Sequence, residues 1–230
     1  MAGSTAASGP LVAVLDYGAA NMVSIGQALV AAGARVVVAE DAAGFRGVDA
    51  VVVPGVGAAV PAMAHLTDRG LAEPVRDWVR AGRPCLGICL GYQILFERST
   101  EGDEGDADTL GLLAGRTVGL ADAPTLPHIG WNTVDLARPH PLFEGIPDGS
   151  HFYFVHSFAP EPEDERVVVA RTTHGRPFVS AVASGSLYGL QFHPEKSAEI
   201  GQRLLVNFLR LVAEATETGG GGTGRAEEVA

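Results

Sequence analysis

The stretch Gly87-Ile88-Cys89-Leu90-Gly91 sets a thiol between two glycines, each two positions away, where an apolar run at 84–88 gives way to a helical pattern. A nucleophile on such a strand-to-helix turn sits in strained backbone, and flanking side chains would collide with neighbouring strands or with substrate. The first helical turn adds unpaired N–H groups and the positive end of the helix dipole, both of which favour thiolate over thiol. A lone cysteine is ordinarily inert core. The paired glycines set Cys89 apart, whereas Cys85, in the middle of the apolar run, reads as core.

A base for that thiol is offered by His193-Pro194-Glu195, at the end of the run 187–192. Residues two apart on an extended segment point the same way, so the carboxylate can hydrogen-bond the imidazole. The proline between them restricts both its own φ and the conformation of His193. Glu195 would then fix the imidazole tautomer and support its charged form. Nucleophile, base and orienting acid together suit acyl transfer through a thioester. The developing oxyanion needs N–H donors: Leu90, next after the nucleophile, is one, and Val56 or Gly57 in the Pro54-Gly55-Val56-Gly57 turn is the candidate for the second.

Elements able to position these groups follow from the apolar pattern. Runs at 11–15, 36–39, 50–53 and 84–88 read as strands, with helical patterns at 21–32 and 71–80. Continuously apolar strands alternating with helices predict a doubly wound α/β domain with a mostly parallel sheet. From about 111 the pattern turns β-rich, with runs at 152–155, 167–170, 178–182 and 187–192 that extend or cover the sheet. Ile200, Leu204, Leu205, Phe208, Leu209 and Val212 form one stripe of a closing helix. The expected organisation is a disordered leader at 1–10, one domain at 11–213 and a disordered Gly-rich tail at 214–230, with residues 99–109 an acidic mobile loop without chemistry.

Composition narrows the classes. With 27 acidic against 16 basic residues the net charge is −11, which opposes binding to nucleic acid or anionic lipid. No apolar run approaches the roughly 20 residues needed to span a bilayer, and no secretion signal is expected at the start, so a cytoplasmic protein is expected. Two cysteines four positions apart match neither a disulfide framework nor the CxxC of redox proteins. No further ligands at metal spacing accompany them, so neither metal nor cofactor is expected.

The elbow and the distant HPE resemble class I glutamine amidotransferases. A narrower resemblance, to the HisH-type glutaminase subunits of imidazole glycerol phosphate synthase, is carried by DYGAAN at 16–21, PGVG at 54–57, PHIGWN at 127–132, YFVHSF at 153–158 and GLQFHPEKS at 189–197. It spans roughly residues 11–212. It implies a subunit that hydrolyses L-glutamine and passes ammonia to a HisF-type (βα)8-barrel cyclase, which makes imidazole glycerol phosphate and AICAR in histidine biosynthesis. By the same resemblance Cys89, His193 and Glu195 are the catalytic residues. Gly57, Gln93 and the Ser157-Phe158 backbone are implied glutamine contacts, and Asn21, Trp131 and Tyr153 lie toward the partner. PGVG would rearrange to complete the oxyanion site when the partner is loaded, which implies low basal activity. Two departures are Ala20, where the family usually has glycine, and Tyr92, where methionine is common.

Other readings stay open at this level. The glutaminase could serve another acceptor, such as the pyridoxal phosphate synthase system, although PHIGWN and YFVHSF argue against it. A catalytically silent regulatory subunit is disfavoured by the intact triad, and a thiol redox or metal module using Cys85 and Cys89 is weakest. Of the histidines, His65, His140, His151 and His174 are expected in water, while His128 and His156 fall in family segments without an assigned role.

Overall fold

The computed structural model describes residues 9–18, 22–102 and 106–219. Asn21 and Ala20 lie outside the described residues, as do 1–8, 103–105 and 220–230 of the leader, loop and tail.

The first half alternates strand and helix: β1 (Leu11–Leu15), α1 (Met22–Ala31), β2 (Arg35–Ala39), β3 (Ala50–Val53), α2 (Ala59–Asp68), α3 (Ala72–Arg80), β4 (Cys85–Ile88) and the single turn α4 (Leu90–Gln93). Then come β5 (Phe96–Ser99), β6 (Ala107–Asp108), β7 (Leu113–Gly119), β8 (His128–Leu136), β9 (Ser150–His156), β10 (Phe158–Pro162), β11 (Val168–His174), β12 (Arg176–Ser184), β13 (Leu187–Leu190) and α5 (Ala198–Gly219).

One sheet has nine strands in the order β2-β1-β3-β4-β13-β12-β11-β8-β9. Its pairings are parallel from β2 to β13 and antiparallel from β13 to β9. The expected parallel sheet is thus the half built by the alternating segment, and the β-rich half both extends it and forms a second sheet of order β10-β7-β5-β6.

The all-apolar strands are explained by two cores. Val12, Val14, Val52, Leu86 and Ile88 pack toward α1 and α5, through Ile25, Leu29, Leu204, Leu205 and Phe208. Their alternating neighbours Ala13, Leu15, Val51, Val53 and Cys85 face Ala62, Leu66, Val75 and Trp78 of α2 and α3. Both faces of each strand therefore need apolar side chains, and helices on both faces define the doubly wound arrangement. Among the described residues, no helix is long and apolar enough to cross a membrane.

Two expectations about flexible segments need correction. α5 continues through 214–219, where Glu214, Ala215, Thr216 and Glu217 can all be helical. In the acidic stretch, Ala107–Asp108 pairs with β5, and the Glu101 carboxylate accepts from Ala59 N–H at 2.9 Å. It thereby caps α2, whose own N-cap, Ala58, has no side chain able to do so.

Candidate active site

Sheet register brings the distant motifs together. β4 lies parallel between β3 and β13, with Cys85 opposite Leu187 and Ile88 opposite Leu190. The residues that leave these three strands, Pro54–Gly57, Cys89 and Gln191–His193, therefore emerge at one carboxyl edge, where open α/β sheets place their ligands. Cys89 N–H donates to Leu190 O at 2.7 Å and His193 N–H to Tyr153 O at 2.9 Å, which ties both chemical residues into that edge.

Cys89 has φ 54° and ψ −109°, a conformation L residues rarely adopt. The tightness of the elbow accounts for its glycines. A Cβ on Gly91 would lie 1.7 Å from Val53 O, and one on Gly87 would lie 2.7 Å from Gly91 O. Both contacts are with backbone, which cannot rotate away. The elbow also separates the two thiols. Cys89 belongs to the core on one side of the sheet and Cys85 to that on the other, where burial pushes its thiol up to about 12. A site using both sulfurs is incompatible with that placement, and the described residues contain no cluster suited to a metal.

His193 Nδ1 is 2.7 Å from Glu195 Oε1, and both side chains are more than nine-tenths buried. Burial disfavours the imidazolium, but Cys89 and Glu195, by hydrogen bond and by charge, outweigh it and raise His193 to about 9. His193 Nε2 has no other protein partner. A charged His193 has a proton available for a leaving amine. Ser197 secures the base: its hydroxyl donates to His193 O at 2.5 Å and accepts from Tyr153 N–H at 3.0 Å.

The remaining predicted residues divide. Leu90 N–H is not free, because it donates to Gly55 O at 3.3 Å. The N–H expected to serve the oxyanion is thus occupied by the loop expected to supply the second donor. Val56 is exposed, and Gly57 has φ 101° with open space around it. Gln93, expected to reach substrate, is buried, and its amide donates to Phe158 O at 2.8 Å and to Gln191 Oε1 at 3.2 Å. It shapes the site from behind. Ser157 O accepts from Leu120 N–H at 3.0 Å. Trp131 is 53 % exposed and meets Tyr153 edge-on across the β8–β9 pairing, with centroids 6.1 Å apart. The crevice lined by Val56, His193, Glu195 and Lys196 holds only about 20 Å³, so glutamine-sized ligands need it to open. Larger clefts elsewhere contain none of the triad.

Other residues at the site had no role assigned from the sequence, although Gln191 and Tyr17 lie in segments that carry the resemblance. Gln191 directs an amide N–H toward Cys89 Sγ, and Tyr17 Oη donates to Pro54 O at 2.5 Å beneath the oxyanion loop. Burial, then the nearby Cys89, raises the Tyr17 pKa, so it stays a donor. Tyr92, in place of the usual methionine, turns from the thiol into the core beside Gly189 and Phe96. His174, expected in water, stacks on His128 at 4.0 Å, and His140 Nδ1 accepts from Leu142 N–H at 3.1 Å. Neither position is in a motif that would have revealed its neighbour.

A cysteine on a strained elbow, with a buried histidine and glutamate at the carboxyl edge of a doubly wound sheet, is an arrangement suited to thiol-dependent acyl transfer. Residues 13–212 match the family model described as glutamine amidotransferase class-I. Imidazole glycerol phosphate synthase subunit HisH of Symbiobacterium thermophilum is 46 % identical over 208 residues, covering 90 % of this chain and 97 % of the relative. The subunit so named from Moorella thermoacetica is 43 % identical, covering 90 % and 98 %. The chain belongs to the class I glutamine amidotransferases, in the family of HisH subunits. Among solved structures, a glutamine amidotransferase is similar in fold, with TM-score 0.70 at 23 % identity over 88 % of this chain and 98 % of that one. PurLQS from Thermotoga maritima gives 0.69 at 18 %, over 89 % and 99 %.

Proposed function

We propose that Cys89 attacks the side-chain amide carbon of L-glutamine, with His193 and Glu195 as its base and orienter. The thiolate forms the C–S bond, His193 gives its proton to the departing nitrogen, and ammonia leaves behind a glutamyl thioester. Neutral His193 then takes a proton from water, whose oxygen breaks the C–S bond to release glutamate. The observation that carries this reading is the buried His193–Glu195 pair at 2.7 Å, with its free Nε2 on the side of the thiol.

The oxyanion requires one rearrangement. Turning the Gly55–Val56 peptide over would remove Gly55 O from Leu90 N–H and present Val56 N–H beside it, with Gly57 supplying the backbone freedom. Basal glutaminase activity is low in that reading because the blocked conformer prevails without the partner. Gly57 and the Ser157-Phe158 backbone would line the glutamine pocket.

Ammonia passes to a HisF-type (βα)8-barrel cyclase seated over the mouth of the site, in the assembly that makes imidazole glycerol phosphate. Exposed Val56, Ile129 and Trp131, with Lys196 over the Tyr153 ring, supply apolar and aromatic anchors beside the crevice. Two free thiols suit a reducing cytoplasm. The test is ammonia release from glutamine with and without such a barrel. Strong stimulation that Cys89→Ala abolishes is expected, and full activity of Cys89→Ala would overturn the mechanism. Capture of a pyridoxal phosphate synthase, but no barrel cyclase, would reassign the acceptor.

A further inference from the structure

Behind the thiol, two lines of buried polar groups converge on one acceptor, and their directions can be worked out atom by atom. That acceptor is Phe158 O, a main-chain carbonyl that can only accept. Gln93 Nε2 lies 2.8 Å from it and so does His156 Nδ1. His156 must carry its proton on Nδ1, which leaves Nε2 as an acceptor. That Nε2 is 2.9 Å from His128 Nδ1, so His128 is also protonated on Nδ1 and its Nε2 accepts from Asn132 Nδ2 at 3.1 Å. The Asn132 amide cannot be turned round. Its Nδ2 also donates to Thr173 O at 2.9 Å, and its Oδ1 accepts from Thr133 N–H at 2.8 Å.

The same reasoning runs from Phe158 toward the nucleophile. Gln93 must present its NH2 group to the carbonyl, and that nitrogen also donates to Gln191 Oε1 at 3.2 Å. Gln191 is left with its own NH2 facing Cys89 Sγ, at 3.8 Å. Gln191 is completely buried, and His128, His156 and Gln93 are nearly so. A reversed Gln191 would set its NH2 against that of Gln93, and a reversed Gln93 would set its oxygen against Phe158 O, without water to relieve either.

We propose that Gln191 is a positioning residue for the nucleophile: its amide N–H, aimed by Gln93 against Phe158 O, which His156 holds from the other side, orients the Cys89 sulfur and favours its thiolate. The inference rests on Cys89 being the nucleophile. Neutral histidines suit the task of holding Phe158 O, because an imidazolium at either position would set N–H against N–H. Burial, joined by the neighbouring His174, lowers His128 to about 4. Burial foremost, against the Phe158 bond and joined by the nearby imidazoles of His128, His174 and His193, lowers His156 to about 3. Both lines therefore keep their direction at any pH where the thiol is reactive.

The test compares Gln191→Leu and Gln191→Glu with His156→Asn and His156→Gln in the full chain. An asparagine amide nitrogen falls where Nδ1 was and preserves the bond to Phe158, whereas a glutamine amide falls where Nε2 was and cannot. The readouts are the pH dependence of Cys89 alkylation by iodoacetamide, and kcat and KM for glutamine with the barrel partner present. Gln191→Leu should raise the alkylation inflection by about one pH unit and lower kcat about tenfold, as loss of a donor to a charged acceptor implies. KM should change little. Gln191→Glu, which preserves shape should the leucine variant fold poorly, should raise the inflection further. His156→Asn should behave like the parent and His156→Gln like Gln191→Leu. An unchanged inflection in both folded Gln191 variants, or equal behaviour of the two His156 variants, would overturn the proposal. Ammonia release that survives complete alkylation of Cys89 would instead overturn the nucleophile assignment.

Discussion

At the scale of single residues the site depends on a charge pair that water would not sustain. His193, raised to about 9, is held charged by Cys89 and Glu195 despite its burial. Its folded pKa exceeds its ordinary 6.5, so the stabilisation it contributes is complete below 6.5 and disappears as pH rises through about 9. Glu195→Gln should therefore lower Tm more at pH 6 than at pH 10. It should also move the basic limb of the pH–kcat profile downward and reduce kcat by about 10²–10⁴-fold, the range for impaired acid–base catalysis. Thermal scans and pH-rate profiles measured on both proteins check this. A Tm difference that grows with pH would contradict the assignment of charge.

At the scale of elements, what matters is how closely the elbow and its neighbouring loop are packed. Gly91→Ala directs a methyl group at Val53 O, and because both partners are backbone the loss should be about 3 kcal/mol or more. Denaturant unfolding measures it directly. The oxyanion loop has gentler restraints. Glu101 caps the helix that begins immediately after it, so Glu101→Ala should cost about 1 kcal/mol. The same substitution loosens Pro54–Gly57 from its C-terminal side, and hydrogen exchange should show faster opening at Ala59. The glycines, the thiol and the loop are all legible in the sequence. Leu90 N–H, expected at the oxyanion, and Gln93, expected at the substrate, each already hold a partner within the protein. A donor can be recognised from sequence, but whether it is already occupied depends on backbone brought from another strand.

For the molecule as a whole, acid stability and partner binding are the exposed properties. His128 and His156 fold neutral, with pKa values lowered to about 4 and about 3. Groups lowered in this way cost nothing above 6.5 and destabilise progressively as pH falls from there toward their folded values. Tm should fall between pH 6.5 and 4, and His156→Asn, which removes one of the two, should flatten that slope. Trp131, 53 % exposed at the proposed docking face, should behave as an anchor. Trp131→Ala is expected to weaken barrel binding by about 30-fold or more, in line with the roughly 2 kcal/mol of a hot-spot aromatic. Titration calorimetry tests it.

The sequence by itself determined the alternating strands and helices, the doubly wound core, the elbow around Cys89 and the adjacency of His193 to Glu195. These are consequences of local sterics, burial periodicity and short-range geometry, all written into a few neighbouring residues. Only the tertiary structure decided that β4 and β13 lie side by side, so that residues 89 and 193 share one edge. It also placed Gly55 O on Leu90 N–H and aligned two histidines with two amides behind the sulfur. Such placements depend on register between strands far apart in the chain, and hydrogen-bond direction is resolved only when every donor has met its acceptor.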